Sequence, residues 1–253
     1  MNKTVLITGA TSGIGYASAE KFAQNNYDLI ITGRRKERLD AFSSELSSKY
    51  GINVLSLAFD VREKEAVELN ITSLKNKWKN IDVLVNNAGL ALGLTTIDKG
   101  DTVDWETMID TNIKGLLYMT KFVSKMMISN GKGHIINVGS IAGKEVYPNG
   151  NVYCATKHAV DALTKATRID LLQYGIKVSQ IAPGAVETEF SEVRFHGDKQ
   201  RAKELYKGFQ PLTGKDIAEV IYYVTTLPAH VNINDLLIMP TAQANATTLL
   251  KKD

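Results

Sequence analysis

Short, almost purely apolar runs alternate with longer amphipathic stretches along the whole 253-residue sequence, and no other feature restricts the fold as much. Thr4 to Thr8, Leu29 to Thr32, Val54 to Phe59, Ile81 to Val85, Ile135 to Val138, Val178 to Ile181 and Leu236 to Met239 read as strands. Strands this continuously apolar belong to a sheet covered on both faces. Between them lie helical stretches near residues 14–24, 38–49, 64–78, 105–128, 151–174 and 216–225. In the second of these, Leu39, Phe42 and Leu46 fall three and four residues apart, on one helix face. Strand–helix alternation joins parallel strands by right-handed crossovers and puts helices on both faces of the sheet. The expected fold class is therefore α/β, a doubly wound parallel sheet. No linker and no fixed-period repeat interrupts the pattern, so one domain over 1–253 is expected. Pro183 to Pro211 is the least regular stretch, a surface excursion or a lid, and about 184–211 is taken as the lid over a site.

Charge and cysteine usage exclude several classes of function. The 30 basic and 27 acidic residues leave a net charge of only +3, and clusters such as Gly33-Arg34-Arg35-Lys36-Glu37-Arg38 are interrupted by acids. Nucleic-acid binding needs a concentrated basic face and is not expected. One cysteine, Cys154, rules out an intrachain disulfide and suits a reducing compartment. No apolar run approaches the roughly 18 residues of a membrane helix. The N-terminal apolar run is too short for a signal-peptide core. A cytoplasmic protein without membrane partners is the expectation. The histidines at 134, 158, 196 and 230 have no metal-ligand spacing with one another, so no metal site is expected.

The chemistry starts at Thr8-Gly9-Ala10-Thr11-Ser12-Gly13-Ile14-Gly15, between the first strand and the first helix. A doubly wound sheet binds a nucleotide pyrophosphate at such a turn. Glycines let the backbone approach phosphate, and the helix start offers free N–H groups and a positive dipole end. The alternative is a tight turn with no ligand. At the tip of the second strand, where an acid would bind the ribose hydroxyls of NAD, the chain reads Thr32-Gly33-Arg34-Arg35-Lys36. Asp28 lies at the opposite end of that strand. Two forked guanidiniums suit the 2′-phosphate of NADP, unless this is only a solvated basic turn.

Tyr153 and Lys157 are four apart on a helix and share a face. A phenol with a pKa of about 10 is a poor base at neutrality, and a nearby ammonium lowers that pKa. Ser140, 13 residues before Tyr153, follows a strand and can bond the same substrate oxygen. Alone, the Tyr–Lys pair could be an ordinary amphipathic helix. Cys154 adjoins Tyr153 but points about 100° away and reads as packing.

The glycine spacing, Asn86-Asn87-Ala88-Gly89 after the fourth strand, Asn112 in the next helix, Ser140, Tyr153 with Lys157, and Pro183-Gly184 together resemble the short-chain dehydrogenase/reductase family over essentially the whole chain. The resemblance implies a single-domain Rossmann-type fold. It implies NADP contacts from Gly9, Thr11, Ser12, Gly13, Ile14, Gly15, Arg34, Arg35, Asp60, Val61, Asn87, Ala88, Gly89, Tyr153, Lys157, Pro183, Gly184, Val186 and Thr188, with Asp60 accepting from the adenine amine. It implies catalysis by Asn112, Ser140, Tyr153 and Lys157, with Asn112 holding a water that links Lys157 to solvent. Residues 86–93, 104–112, 188–195 and 227–234 are similar to the NADP-dependent 3-hydroxy acid dehydrogenases, which include serine 3-dehydrogenases and L-allo-threonine dehydrogenases. The implied reaction is oxidation at C3 of a short 3-hydroxy acid (serine, allo-threonine, 3-hydroxypropionate type). The competing readings are a reductase of 3-oxoacyl groups on a carrier protein and a non-catalytic cofactor sensor. The substrate carboxylate needs a cation: Arg194 in the lid is the candidate, unless it caps a helix or pairs with Glu189 or Glu192, and Lys144 is its rival. The family usually forms tetramers, and the stripe Val152, Ala155, Ala159, Leu163 and Ala166, widened by Val160, Ala162 and Ile169, is the expected subunit contact of a homotetramer.

Overall fold

The computed structural model describes residues 2–252, so Met1 and Asp253, the two ends of the expected 1–253 domain, lie outside the described residues. Five strand–helix units and a sixth strand build the frame. They comprise β1 (Thr4–Ile7), α1 (Gly13–Gln24), β2 (Asp28–Gly33), α2 (Lys36–Tyr50), β3 (Val54–Ala58), α3 (Lys64–Thr72), β4 (Val83–Asn86), α4 (Thr102–Ile109), α5 (Leu116–Asn130), β5 (His134–Val138), α6 (Asn151–Leu171) and β6 (Lys177–Pro183). The remainder is β7 (Val186–Glu187), α7 (Phe190–Arg194), α8 (Lys199–Glu204), β8 (Leu212–Thr213), α9 (Gly214–Thr226) and β9 (Asp235–Ile238). Seven strands form one parallel sheet in the order β3-β2-β1-β4-β5-β6-β9. Strand order reverses between β1 and β4, and the crevice outside their carboxyl ends is where such sheets bind ligands.

Alternation along the strands divides the core into two layers. Val5, Ile7, Leu29 and Ile31 face Phe22, Leu39, Ile217 and Ile221 of α1, α2 and α9. Leu6, Ile30, Leu84 and Ile135 face Val67, Ile71, Phe122 and Val123 of α3 and α5. The fold is thus the doubly wound Rossmann-type sheet that the alternation calls for.

Three elements depart from the sequence reading. The helix expected over 64–78 stops at Thr72, and Asn76, with φ of 52°, turns the chain into a separate 3-10 turn. The helix expected over 105–128 starts at Thr102, capped by Asp101, and is interrupted by a π-helical segment, Asp110–Gly115. That interruption contains Asn112, and side-chain bonds outside the helix hold it, which periodicity cannot register. Pro183 to Pro211 holds β7, α7 and α8, each too short to leave a periodic signal.

The buried residues of α6 are Tyr153, Cys154, Thr156, Lys157, Val160, Thr164 and Leu171, so Val160 packs inward and does not widen the stripe as expected. The small-residue stripe is instead the outer side: Ala155, Ala162 and Ala166 are exposed, and Ile169 is 74% exposed.

His134 on β5 is 4% exposed and bonds the Ser179 hydroxyl through Nε2 at 2.8 Å. Desolvation, with Lys177 nearby, holds its pKa down at about 3. The unfolded chain takes up this proton near pH 6.5. The contribution is therefore intact above pH 6.5 and is lost as pH falls toward 3, by about 1.4 kcal/mol per pH unit. Urea unfolding of the parent and of His134→Gln at pH 7, 6 and 5 should show the parent losing stability more steeply by up to one proton per molecule. Equal slopes would locate the acid sensitivity elsewhere.

Candidate active site

The turn after β1 is held open by bonds from a neighbouring strand end. The Thr8 hydroxyl accepts from the backbone N–H groups of Asn87 and Ala88, at 3.0 and 2.9 Å. The Asn87 side-chain amide donates to the Thr8 and Gly9 carbonyls. Gly9 and Gly13 have φ of 67° and 56°, which side-chain-bearing residues rarely adopt. A methyl on Gly15 would lie 2.4 Å from the Gly9 oxygen. Gly15 therefore does not line the crevice as expected; it lets α1 pack against the turn. Ser12 caps α1 in extended conformation without a side-chain bond to the helix N–H groups, and no acid stands in the first turn. The first N–H groups of α1 therefore face an open crevice, the donor set that a diphosphate accepts.

This crevice is a cleft of about 590 Å³ that runs from Arg34 and Arg35 past the turn to Lys157 and Arg194. All the expected cofactor and catalytic residues line it except Gly15 and Asn112. At the β2 tip, Arg35 donates to the Thr11 hydroxyl at 2.7 Å and to Ser12 at 3.0 Å. Asp60 accepts three bonds from Arg62, at 2.7 to 3.0 Å. Desolvation would raise its pKa, but the bonds from Arg62 hold the carboxyl below its ordinary range. Two of the three bonds fall on Oδ2, so Oδ1 keeps acceptor capacity.

At the other end, Tyr153 and Lys157 are both buried, with the Lys157 Nζ 6.0 Å from the phenol ring centroid. Lys157 donates to the Val138 carbonyl at the end of β5, at 2.9 Å. Ser140 follows in extended conformation and caps a short 3-10 turn, Ile141–Gly143. A methyl on Gly143 would lie 2.5 Å from the Lys157 carbonyl, so only glycine lets this turn seat on α6 and carry Ser140 to Tyr153. The Asn112 side chain exchanges two bonds with Leu90 and donates to Thr156 at 3.0 Å. Both of its amide N–H donors are thus spent on holding the π-segment against Leu90 and α6, while Oδ1 keeps acceptor capacity.

Electrostatics here depart from the sequence reading. Lys157 was expected to lower the pKa of Tyr153. Burial dominates instead and pushes the phenol up, Tyr147 adds to this, and the opposing groups are Arg194 and the Ser140 hydroxyl. Lys157 is itself brought down to about 8 by desolvation. Near neutrality the site holds a protonated phenol beside an amine close to its own midpoint. Such a pair can give a proton to a substrate oxygen and recover it.

Arg194 reaches the catalytic end from α7. Its guanidinium lies 5.1 Å from the Tyr153 ring centroid and 5.9 Å from that of Phe190, and it donates to the Tyr147 hydroxyl. Its Nε is buried with no partner. Glu189 is engaged elsewhere, by Arg35 and Arg38 at 2.9 and 3.1 Å. The rival cation, Lys144, is ruled out: it is bound between Asp161 and Asp235, 2.6 Å from the latter, and lies outside the cleft. Sequence reasoning missed Tyr147 and Gln243, both of which line the cleft. Gln243 enters the cleft from the C-terminal stretch and accepts from Ala185 N–H at 2.8 Å. Tyr147 lies seven residues past Ser140 and could have been considered, whereas nothing local marks Gln243. Among the described residues no three His, Cys, Asp or Glu side chains gather as a metal site would require.

The family model described as short chain dehydrogenase matches residues 3–199. The chain belongs to the short-chain dehydrogenase/reductase family. It is 50% identical over 243 residues to the NADP-dependent 3-hydroxy acid dehydrogenase YdfG of Salmonella typhi, covering 96% of each chain. It is 46% identical over 254 residues to sulfoacetaldehyde reductase 2 of Chromohalobacter salexigens, covering the whole of each. Among solved structures, the closed form of a serine dehydrogenase complexed with NADP+ superposes with a TM-score of 0.92, at 47% identity over 99% of this chain and 100% of that one.

Proposed function

We propose that this enzyme, an NADP-dependent oxidoreductase acting on a CH–OH group of a hydroxy acid, works at C3 of a short 3-hydroxy acid or on the matching semialdehyde. The observation that carries the substrate assignment is Arg194: a guanidinium whose buried Nε has no partner, set against the catalytic phenol. A carboxylate accepts two parallel bonds from that fork. A buried unpaired donor costs roughly 1–3 kcal/mol, which a bound anion relieves. Carrier-bound 3-oxoacyl groups offer this cation no charge. A non-catalytic sensor would have no need of Asn112, Ser140, Tyr153 and Lys157 together.

The fit to NADP rests on the glycine cradle, the unpartnered start of α1 and the arginines at the β2 tip. The nicotinamide, when bound, supplies or accepts the hydride. Ser140 and Tyr153 hydrogen-bond the oxygen at C3, Arg194 and Tyr147 hold the carboxylate, and Tyr153 gives or takes the proton with Lys157 behind it. Residues 184–211 act as the substrate lid and carry Arg194 to the site.

Among the described residues, the acids lining the cleft are Asp60 and Glu189, both toward the adenosine end. No carboxylate among the described residues lies at the catalytic end to balance an α-ammonium group. The favoured substrate is therefore a plain anion such as 3-hydroxypropionate rather than serine. A sulfonate presents the same forked acceptor, so sulfoacetaldehyde is the second substrate to try. Steady-state kinetics should give kcat/KM at least tenfold higher for 3-hydroxypropionate than for L-serine, and higher for both than for 1-propanol. Equal values for the acid and the alcohol would defeat the assignment.

No helix of the described chain is long and apolar enough to cross a membrane. We assign the enzyme to the cytoplasm, where its one buried thiol stays reduced. The exposed stripe on α6, with Ile169 beside it, supports a homotetramer joined through these helices. Light scattering at micromolar concentration should give about four times 27.8 kDa; a mass near one chain would refute it.

A further inference from the structure

Two guanidiniums beside the β2 tip, Arg35 and Arg38, converge on an anion that belongs to the chain itself, while Arg34 faces Asp60 at 3.8 Å. Glu189, immediately before α7, receives Arg35 on one carboxylate oxygen at 2.9 Å and Arg38 on the other at 3.1 Å. Arg35 is at the same time tied to Thr11 and Ser12 of the glycine turn. Arg34, Arg35, Thr11, Ser12 and Glu189 all line the adenosine end of the cleft. The carboxylate therefore lies between guanidiniums at the strand tip where a dinucleotide's adenosine ribose is received.

We propose that Glu189 is a built-in competitor of the 2′-phosphate of NADP, and that Arg38 is a further residue of the phosphate subsite. A carboxylate brings one negative charge, whereas a phosphate monoester brings ≈ −1.5 to −2 near neutrality, with three acceptor oxygens. The phosphate therefore displaces Glu189 from Arg35 and Arg38. NAD, which carries no charge at this position, leaves Glu189 in its bonds. Desolvation would raise the Glu189 pKa, but bonding to Arg35 and Arg38 holds it below the ordinary value, so the competing anion is ionised at working pH. The pairs are half exposed, at 39% and 56% for the arginines and 44% for Glu189, so each is individually weak and open to exchange. Arg38 is the third residue of α2, in its first turn, four positions after Arg34.

The test is equilibrium binding by calorimetry, without turnover, of NADP+, NAD+, adenosine 2′,5′-bisphosphate and 5′-AMP. Glu189→Gln should bind NADP+ and the bisphosphate about three- to tenfold more tightly, with NAD+ and 5′-AMP unchanged within twofold. Arg38→Met should bind the first pair about five- to tenfold more weakly and leave the second pair alone. Both positions are half exposed, so the variants should fold, and a superimposable circular dichroism spectrum checks it. Weaker NADP+ binding by Glu189→Gln would mean that the carboxylate orients Arg35 instead, and overturns the competitor role. No change, or equal change for phosphorylated and unphosphorylated ligands, overturns the subsite for whichever variant shows it.

Discussion

Tyr153→Phe should reduce turnover by about 10²- to 10⁴-fold, the range for a lost acid–base group, while NADPH still binds. The phenol is buried on α6 and is hydrogen-bonded by Ser140. Phenylalanine preserves the ring and its edge contact with Phe190, whose centroid is 5.7 Å away, so packing should survive. Burial keeps the phenol protonated through neutrality, which favours reduction. Oxidation needs the deprotonated form, so its kcat/KM in the parent should climb as pH rises from 7 to 9, through the region of the Lys157 midpoint at about 8. Fluorescence titration with NADPH separates lost chemistry from lost binding. Near-normal turnover in the variant would remove Tyr153 from the mechanism.

Arg194→Met should reduce kcat/KM for 3-hydroxypropionate by about 10²-fold and for 1-propanol by less than threefold. Two charge-assisted bonds of roughly 1.5–3 kcal/mol each set the scale, and part of that is recovered because the variant no longer buries an unpaired donor. Methionine keeps the packing against Tyr147, Tyr153 and Phe190, all within 6 Å of the guanidinium. Arg194→Lys keeps the charge but not the fork and should fall between parent and methionine variant. Lys144→Met serves as control, because its charge is already spent on Asp161 and Asp235 and lies away from the cleft. Substrate discrimination is read from the ratio of the two kcat/KM values, which cancels any shared loss of active enzyme. An equal fall for acid and alcohol would assign Arg194 to support of Tyr153 and not to the carboxylate.

The sequence by itself determined the layered sheet and the end at which ligands bind. Runs such as Val5-Leu6-Ile7 are buried on both faces whatever else the chain does, and a glycine turn must follow where α1 closes on Gly9. Tyr153 with Lys157 was legible too, because a helix makes residues four apart neighbours without any help from the rest of the fold. What lay beyond local spacing was decided only by the tertiary structure. Glu189 and Arg35 are 154 residues apart, and Gln243 and Ala185 58 apart, so no periodicity relates them. Lys144 stood as a rival to Arg194 in sequence, but packing gave it two carboxylates and left Arg194 a buried donor beside the phenol. The Tyr153 pKa turned the same way. Spacing puts an ammonium near it and implies a lower value, but desolvation depends on everything packed around the ring, and in this fold it outweighs the charge.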